Sequence, residues 1–215
     1  MPDSIIDITL PIDSTLPVWP GDPQVNISRV PGDGASSAAV SHISMGSHTG
    51  THVDAPAHII PAGATVDQLP IEVMIGPAWV AHLPGMSLIT GPALAGAGIP
   101  GDTSRLLLCT DNSSEAPGEP RFDAAFAALS PDAADWILER RIRLVGIDGP
   151  SIEPYVAPET PVHRRLLGAG VVILENVALT GVDPGAYKLI CLPLRVRCDD
   201  GAPVRAVLIA ERSIS

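Results

Sequence analysis

Apolar residues along this chain fall into two regimes. In the first half the apolar runs are short and broken by Pro and Gly. Residues 5–10 read as a first strand, and 11–23 as a turn-rich stretch containing Trp19-Pro-Gly-Asp-Pro23. Residues 25–30 alternate as an edge strand does. Residues 32–37 read as loop, and 38–45 as a strand leading into a histidine-rich segment. Residues 59–70 read as loop with a helical turn at Asp67-Gln-Leu-Pro70. A strand over 75–83 and a short helix near 91–97 follow.

The second half is more regular. Leu106-Leu-Leu-Cys-Thr110 is an apolar strand ending at Asp111, followed by a polar stretch over 112–121. Residues 131–140 have helical spacing, with Ser130 as N-cap and Pro131 at the first helical position. Arg143-Leu-Val-Gly-Ile147 is a strand ending at Asp148. Thr160 and Pro161 open a helix running to about Gly168, and Val171-Val-Ile-Leu174 is a strand ending at Glu175. Apolar strands separated by crossover segments argue for parallel pairing, and sites in such sheets lie beyond the carboxyl ends of the strands. Asp111, Asp148 and Glu175 are therefore expected on one rim. Residues 187–196 and 203–210 read as two further strands, forming a hairpin on the sheet edge.

Composition narrows the class. The chain is 46% apolar and 17% charged, which is the profile of a compact globular protein rather than a disordered one, and no repeat or long linker divides its 215 residues, so one domain, of α/β class from the strand and helix pattern, is expected. Only 3% is aromatic, so Val, Ile, Leu and Ala must build the core. A formal net charge of -11 disfavours nucleic-acid partners, which need clustered Lys and Arg. No apolar run reaches the length of a membrane span. Cys109, Cys191 and Cys198 lack metal-ligand spacing. Their odd number, with no secretion signal at Met1-Pro-Asp3, reads as reduced thiols in the cytoplasm.

The candidate chemistry sits in His48-Thr-Gly-Thr-His-Val-Asp-Ala-Pro-Ala-His58. Imidazole and carboxylate suit zinc and other first-row divalent metals. A helix would turn Asp54 about 200 degrees from His52, and β-branched residues with Pro56 oppose helix anyway. A strand puts His48, His52 and Asp54 on one face, but an extended run from 48 to 54 would span about 20 Å. His52 and Asp54 can chelate as they stand; His48 can join only if the chain bends, and Gly50 is the residue that allows it. Asp148 and Glu175 are equal candidates for a further acidic ligand.

This segment closely resembles the signature of the putative cyclase family, which includes bacterial metal-dependent kynurenine formamidases and the isatin hydrolases. The resemblance extends to Trp19-Pro-Gly-Asp-Pro23, Leu144-Val-Gly-Ile-Asp148, Pro150-Ser-Ile-Glu-Pro154, the stretch from His163 to Ile173-Leu-Glu-Asn176, and Pro203-Val-Arg-Ala-Val207. It implies a swivelling β/β/α fold with a mixed sheet and flanking helices, usually as a homodimer or larger. It also implies two divalent ions, zinc or manganese. His48, His52 and Asp54 would hold one, and Asp54 would bridge to a second held by His163 and Glu175. His58 matches the catalytic histidine. The implied activity is that of an arylformamidase of tryptophan catabolism, cleaving N-formyl-L-kynurenine. Trp19 is the expected apolar wall for the aryl group, and Ser151 a further substrate contact.

Two segments depart from the family pattern: Cys109 stands where a basic residue is common, and in the loop 148–154 Gly149 and Glu153 replace a hydroxyl residue and an Asp. Neither touches the implied ligands, and both bear on substrate choice. The alternatives are action on another cyclic amide or lactone, a cyclisation or dehydration, or a metal-stabilised protein without catalysis. Retention of His58 argues against the last, because a structural site needs no free base.

Overall fold

A computed structural model describes residues 4–31, 38–113, 121–198 and 200–210. The loop expected at 32–37 lies outside these residues, as does most of the polar stretch expected at 112–121. The strands are β1 (Ile5–Asp7), β2 (Asn26–Arg29), β3 (Ser41–Ser44), β4 (His52–Asp54), β5 (Ile75–His82), β6 (Leu88–Ile89), β7 (Arg105–Cys109), β8 (Ala128–Leu129), β9 (Leu144–Ile147), β10 (Val172–Glu175), β11 (Gly185–Pro193) and β12 (Gly201–Ala210). The helices are α1 (Ile71–Met74), α2 (Gly91–Gly96), α3 (Pro131–Glu139) and α4 (Pro161–Gly168).

Seven strands close a ring in the order β12-β11-β5-β7-β9-β10-β4, and β4 pairs back onto β12. The sheet is mixed: β5, β7, β9 and β10 run parallel to one another, as their apolar sequences imply, while β4, β11 and β12 pair antiparallel. The hairpin β11–β12 is not at the sheet edge. The first residues of β12 (Gly201–Pro203) pair with β4 and its later residues (Val207–Ile209) with β1, so one long strand serves two partners on the same side and closes the ring. Hydrophobic alternation cannot distinguish this from an edge hairpin, because closure depends on pairing partners remote in sequence. Residues 25–30 likewise form no edge of the main sheet; among the described residues, β2 pairs only with β3, in a separate ribbon.

All seven ring strands contribute to one apolar cluster, including Val53, Val80, Leu107, Leu144, Leu174, Leu189 and Leu208, which therefore fills the ring. Side chains alternate along a strand. Leu106, Leu108, Val145, Ile147 and Ile173 accordingly point outward, where Ala133 and Ile137 of α3 and Val162 and Leu166 of α4 cover them. Each fully buried Val, Leu or Ile side chain contributes about 1.5–3 kcal/mol, so both faces of the parallel strands are anchored. With Val53 inside the ring, His52 and Asp54 face outward toward α4.

The two longer helices begin as the sequence implies, at Pro131 and Pro161, but their caps differ from expectation. Ser130 occupies the N-cap position of α3, yet its hydroxyl donates to the Ile89 carbonyl at 3.0 Å and pairs with Asp132 at 2.5 Å. Thr160 precedes α4 in a left-handed conformation (φ 47°), with no side-chain cap.

Candidate metal centre

β4 is the shortest way to bring two ligating side chains under one helix. Its residues pair with β10 on one side and β12 on the other. His52 lies directly opposite Glu175, and their Nε2 and Oε2 atoms are 3.4 Å apart. Asp54 is fully buried; its Oδ1 lies 3.4 Å from His52 Nε2 and its Oδ2 3.6 Å from His163 Nε2. His163 enters from the first turn of α4 and stands 3.4 Å from Glu175 Oε1. His48 joins through the bend expected at Gly50, whose φ is 63°. Its Nδ1 is 2.9 Å from Asp54 Oδ1. A Cβ on Gly201 would stand 2.5 Å from the Val53 carbonyl and 3.1 Å from His48 Cε1, so glycine there lets β12 close on the site.

These residues fit divalent ions on two independent observations. Among the described residues, the buried side-chain atoms without a hydrogen-bond partner are His48 Nε2, His52 Nε2 and both Asp54 carboxylate oxygens. Buried polar atoms are rarely left so, because each costs desolvation without return. In addition, two donors each about 2.1 Å from one tetrahedral ion lie about 3.4 Å apart. That is the separation of the His52–Asp54 and His163–Glu175 contacts.

The electrostatics agree. Burial opposes a charge on His52, but Asp54 and Glu175 outweigh it and push its pKa up to about 10. His163 is raised well above its ordinary value: burial again opposes, and Asp54, Glu153 and Glu175 prevail. Burial would raise Asp54, yet its three histidine neighbours hold it well below the usual carboxylate range. Two buried carboxylates in one pocket thus demand cationic charge, which protons or metal ions can supply.

His58 closes a 3₁₀ turn, Pro56–His58, with its ring 4.3 Å from that of His48 and 5.8 Å from that of His163. Burial lowers its pKa below the ordinary value. It is close enough to His48 and Asp54 to be a donor as well as a free base.

The other sequence candidates separate. Asp148 lines the same cleft but is spent on Thr110 and Ser113, which donate to it from both backbone and hydroxyl at 2.5–3.1 Å. Asp111 accepts from Gly85 N at 2.8 Å. Ser151 is buried and its hydroxyl accepts from Glu153 N at 3.2 Å. His82 contacts the Val182 carbonyl, and Cys109 is half-buried at the end of its strand.

Trp19 borders a cleft of about 1300 Å³ that opens over the histidines. Its ring lies 5.2 Å from Phe122, 6.1 Å from Phe126 and 5.2 Å from Tyr155, so four of the seven aromatic residues of this chain gather on one wall. Phe122 and Phe126, four residues apart, and Tyr155 are all remote from Trp19 in the sequence and carry no motif; the scarcity of aromatics is the one signal that points to them. Glu153 and Asp200 also face the histidines, at 2.7 Å from His163 Nδ1 and 3.3 Å from His48 Nε2. Neither spacing nor periodicity marks either residue.

A sequence profile of the family described as "Putative cyclase" matches residues 6–154. The chain belongs to the cyclase family. A solved structure described as a potential metal-dependent hydrolase with cyclase activity is 32% identical, with 98% of this chain and 99% of that chain covered and a TM-score of 0.84. A predicted metal-dependent hydrolase from Bacillus stearothermophilus is 33% identical over 95% of this chain and 97% of that one, with a TM-score of 0.82. Isatin hydrolase A from Labrenzia aggregata, bound to benzyl benzoate, shares the fold at 23% identity and a TM-score of 0.76, covering 97% of this chain and 94% of that chain. The cyclase-family fold of this chain is thus one found in metal-dependent hydrolases. Among the described residues, no helix is long and apolar enough to cross a membrane.

Proposed function

We propose that this cyclase-family member is a metal-dependent amidohydrolase that cleaves the formamide of N-formyl-L-kynurenine to L-kynurenine and formate. The observation that carries this reading is the convergence of five donor residues and one further histidine beneath an aromatic-walled cleft. His48, His52 and Asp54 would hold one divalent ion, and Asp54, His163 and Glu175 a second, with zinc the first choice and manganese the second. Such ions lower the pKa of water and polarise a carbonyl oxygen.

The chain's own residues supply the rest. His58, kept neutral by burial, accepts a proton from the attacking water. As the oxygen–carbon bond forms and the carbon–nitrogen bond breaks, His58 passes that proton to the departing aryl amine. Trp19 and its aromatic neighbours hold the aryl ring by edge and face contacts, and Ser151 lies within reach of the same cleft. Hydrolysis of a cyclic aryl amide such as isatin is the second reading. It is favoured by the shared fold of isatin hydrolase A and needs the same proton path to an aryl nitrogen.

We read the chain as one domain of the swivelling β/β/α type, acting on a small molecule in the cytoplasm. We also read it as a homodimer or larger assembly. The β2–β3 ribbon supports this: every residue of both strands is exposed, and Ile27 and Ile43, directly opposed, are 48% and 57% exposed. An isolated two-stranded ribbon is marginal in water. Sedimentation of the wild type and of Ile27→Ser/Ile43→Ser tests that point, and an unchanged mass in the double variant refutes it.

The test of function is hydrolysis of N-formyl-L-kynurenine by metal-loaded protein, beside chelated and His58→Ala samples. Turnover lost in both controls is expected. Full activity after complete chelation overturns the mechanism. No turnover at full metal occupancy moves the substrate to cyclic amides.

A further inference from the structure

Three imidazoles meet at the candidate centre, and what lies around each of them differs. His52 Nδ1 is 2.8 Å from the Gly50 carbonyl, which fixes that ring by local backbone alone. His48 Nε2 lies 3.3 Å from Asp200, at the partly exposed rim. His163 is held differently. Glu153, almost fully buried, places Oε2 2.7 Å from His163 Nδ1. Its Oε1 accepts from Val162 N at 2.8 Å. Val162 and His163 are the second and third residues of α4, whose N-terminal amides lack an intrahelical acceptor. Thr160, at the position that normally supplies one, makes no side-chain cap. Glu153 reaches in from the loop after β9 and does that work instead.

We infer that Glu153 is the positioning residue of the second ion site, capping α4 with one oxygen and locking His163 as its Nδ1–H tautomer with the other. The inference rests on the ligand assignment proposed above. A ring that donates from Nδ1 presents the lone pair of Nε2, and this is the nitrogen that stands 3.4 Å from Glu175 and 3.6 Å from Asp54. The opposite tautomer would aim an N–H at those carboxylates and exclude a cation. The helix cap matters equally, because His163 is carried by the first turn of α4 and moves with it. Ser151 steadies the device by accepting from Glu153 N. The predicted departure at this position, Glu for Asp, therefore concerns the metal site rather than the substrate.

Glu153→Gln is the discriminating variant. Its carbonyl oxygen can still cap α4, but its NH2 then faces His163 Nδ1 and favours the wrong tautomer. Zinc binding is measured by chelator competition, which resolves two steps without reference to turnover. Loss of an orienting partner of a ligating histidine costs about 10- to 100-fold in metal affinity. We expect that loss in one step only, with the step assigned to His48 and His52 unchanged. In the zinc-loaded wild type, ¹⁵N-edited NMR should show a hydrogen-bonded Nδ1–H on His163, and the signal should vanish in the variant. The NMR of the wild type needs no variant to fold. Two unaltered zinc affinities in Glu153→Gln, or an Nε2–H tautomer for His163 in the zinc-loaded wild type, overturn the inference. Two zinc ions bound by a wild type inactive on every amide would refute the proposed function and leave this inference standing.

Discussion

Glu175 and His52 are direct cross-strand partners on β10 and β4, and their Oε2 and Nε2 atoms approach to 3.4 Å. They are more than a hundred residues apart in the chain, yet antiparallel register puts them on the same face. The strand that closes the ring is thus also the strand that carries two of the candidate donors. Stability of the closure and integrity of the site are therefore linked.

The shared carboxylate is the first point to test. Asp54 faces His48 and His52 with one oxygen and His163 with the other. If Asp54 bridges two ions as proposed, Asp54→Ala should empty both positions, seen by elemental analysis as metal per chain falling toward zero. A variant that keeps one tightly bound ion refutes the bridging role.

The pH dependence follows from His52. Its pKa stands at about 10 against an ordinary 6.5, because Asp54 and Glu175 overcome the effect of burial. A raised pKa means that the bound proton stabilises the folded metal-free protein. That stabilisation is full below pH 6.5 and drains as pH rises toward about 10. The Tm of the metal-free protein should fall over this window. A divalent ion competes with the same proton, so zinc affinity should rise over it. Thermal scans and zinc titrations at stepped pH decide both; a flat metal-free Tm would count against the charge balance described.

The proposed role of His58 is proton transfer and not metal binding. His58→Ala should lower kcat by about 10²- to 10⁴-fold, the usual worth of a positioned general acid–base, with metal content unchanged. Loss of an ion in this variant would make His58 a ligand instead.

Gly50 sets the bend that admits His48. Its φ is 63°, and an added Cβ would stand 3.2 Å from Ile12 and 3.3 Å from Leu16. Gly50→Ala should cost about 1–2 kcal/mol from the left-handed backbone alone, read as a lower Tm, together with weaker binding of the ion at His48. Wild-type Tm and affinity would show that the bend does not depend on glycine.

Trp19 tests the wall. Losing one aromatic contact of about 0.5–1.5 kcal/mol corresponds to roughly a 2- to 10-fold rise in KM for aryl substrates, with kcat little changed. Equal KM for Trp19→Ala and wild type would leave Trp19 as packing for Phe122 and Phe126.

Much of the candidate centre is legible in the amino-acid sequence. His52 and Asp54 alternate on a strand, and Gly50 permits the turn to His48; these are local matters of spacing and dihedral freedom. Glu175 is legible as the end of an apolar strand, but so is Asp148, and spacing cannot rank them. The hydrogen bonds of Asp148 to Thr110 and Ser113 do rank them, since a carboxylate satisfied by four neighbouring donors has little left to offer an ion. Glu153 is visible only as a departure from a pattern. Its task depends on α4 starting beside it, which no local signal records.

Local patterns in the chain dictate the elements and their chemistry: apolar parallel strands, helices opened by Pro131 and Pro161, a bent chelating segment, and family membership. Closure and assembly belong to the tertiary structure alone. The hairpin of β11 and β12 lies inside the ring rather than at an edge, β4 is clasped between β10 and β12, and scattered aromatics meet around Trp19. The division follows the range of the forces involved. Periodicity, caps and turns arise from contacts between near neighbours, whereas register, ring closure and the meeting of His52 with Glu175 arise from pairing between segments whose separation along the chain leaves no imprint on either.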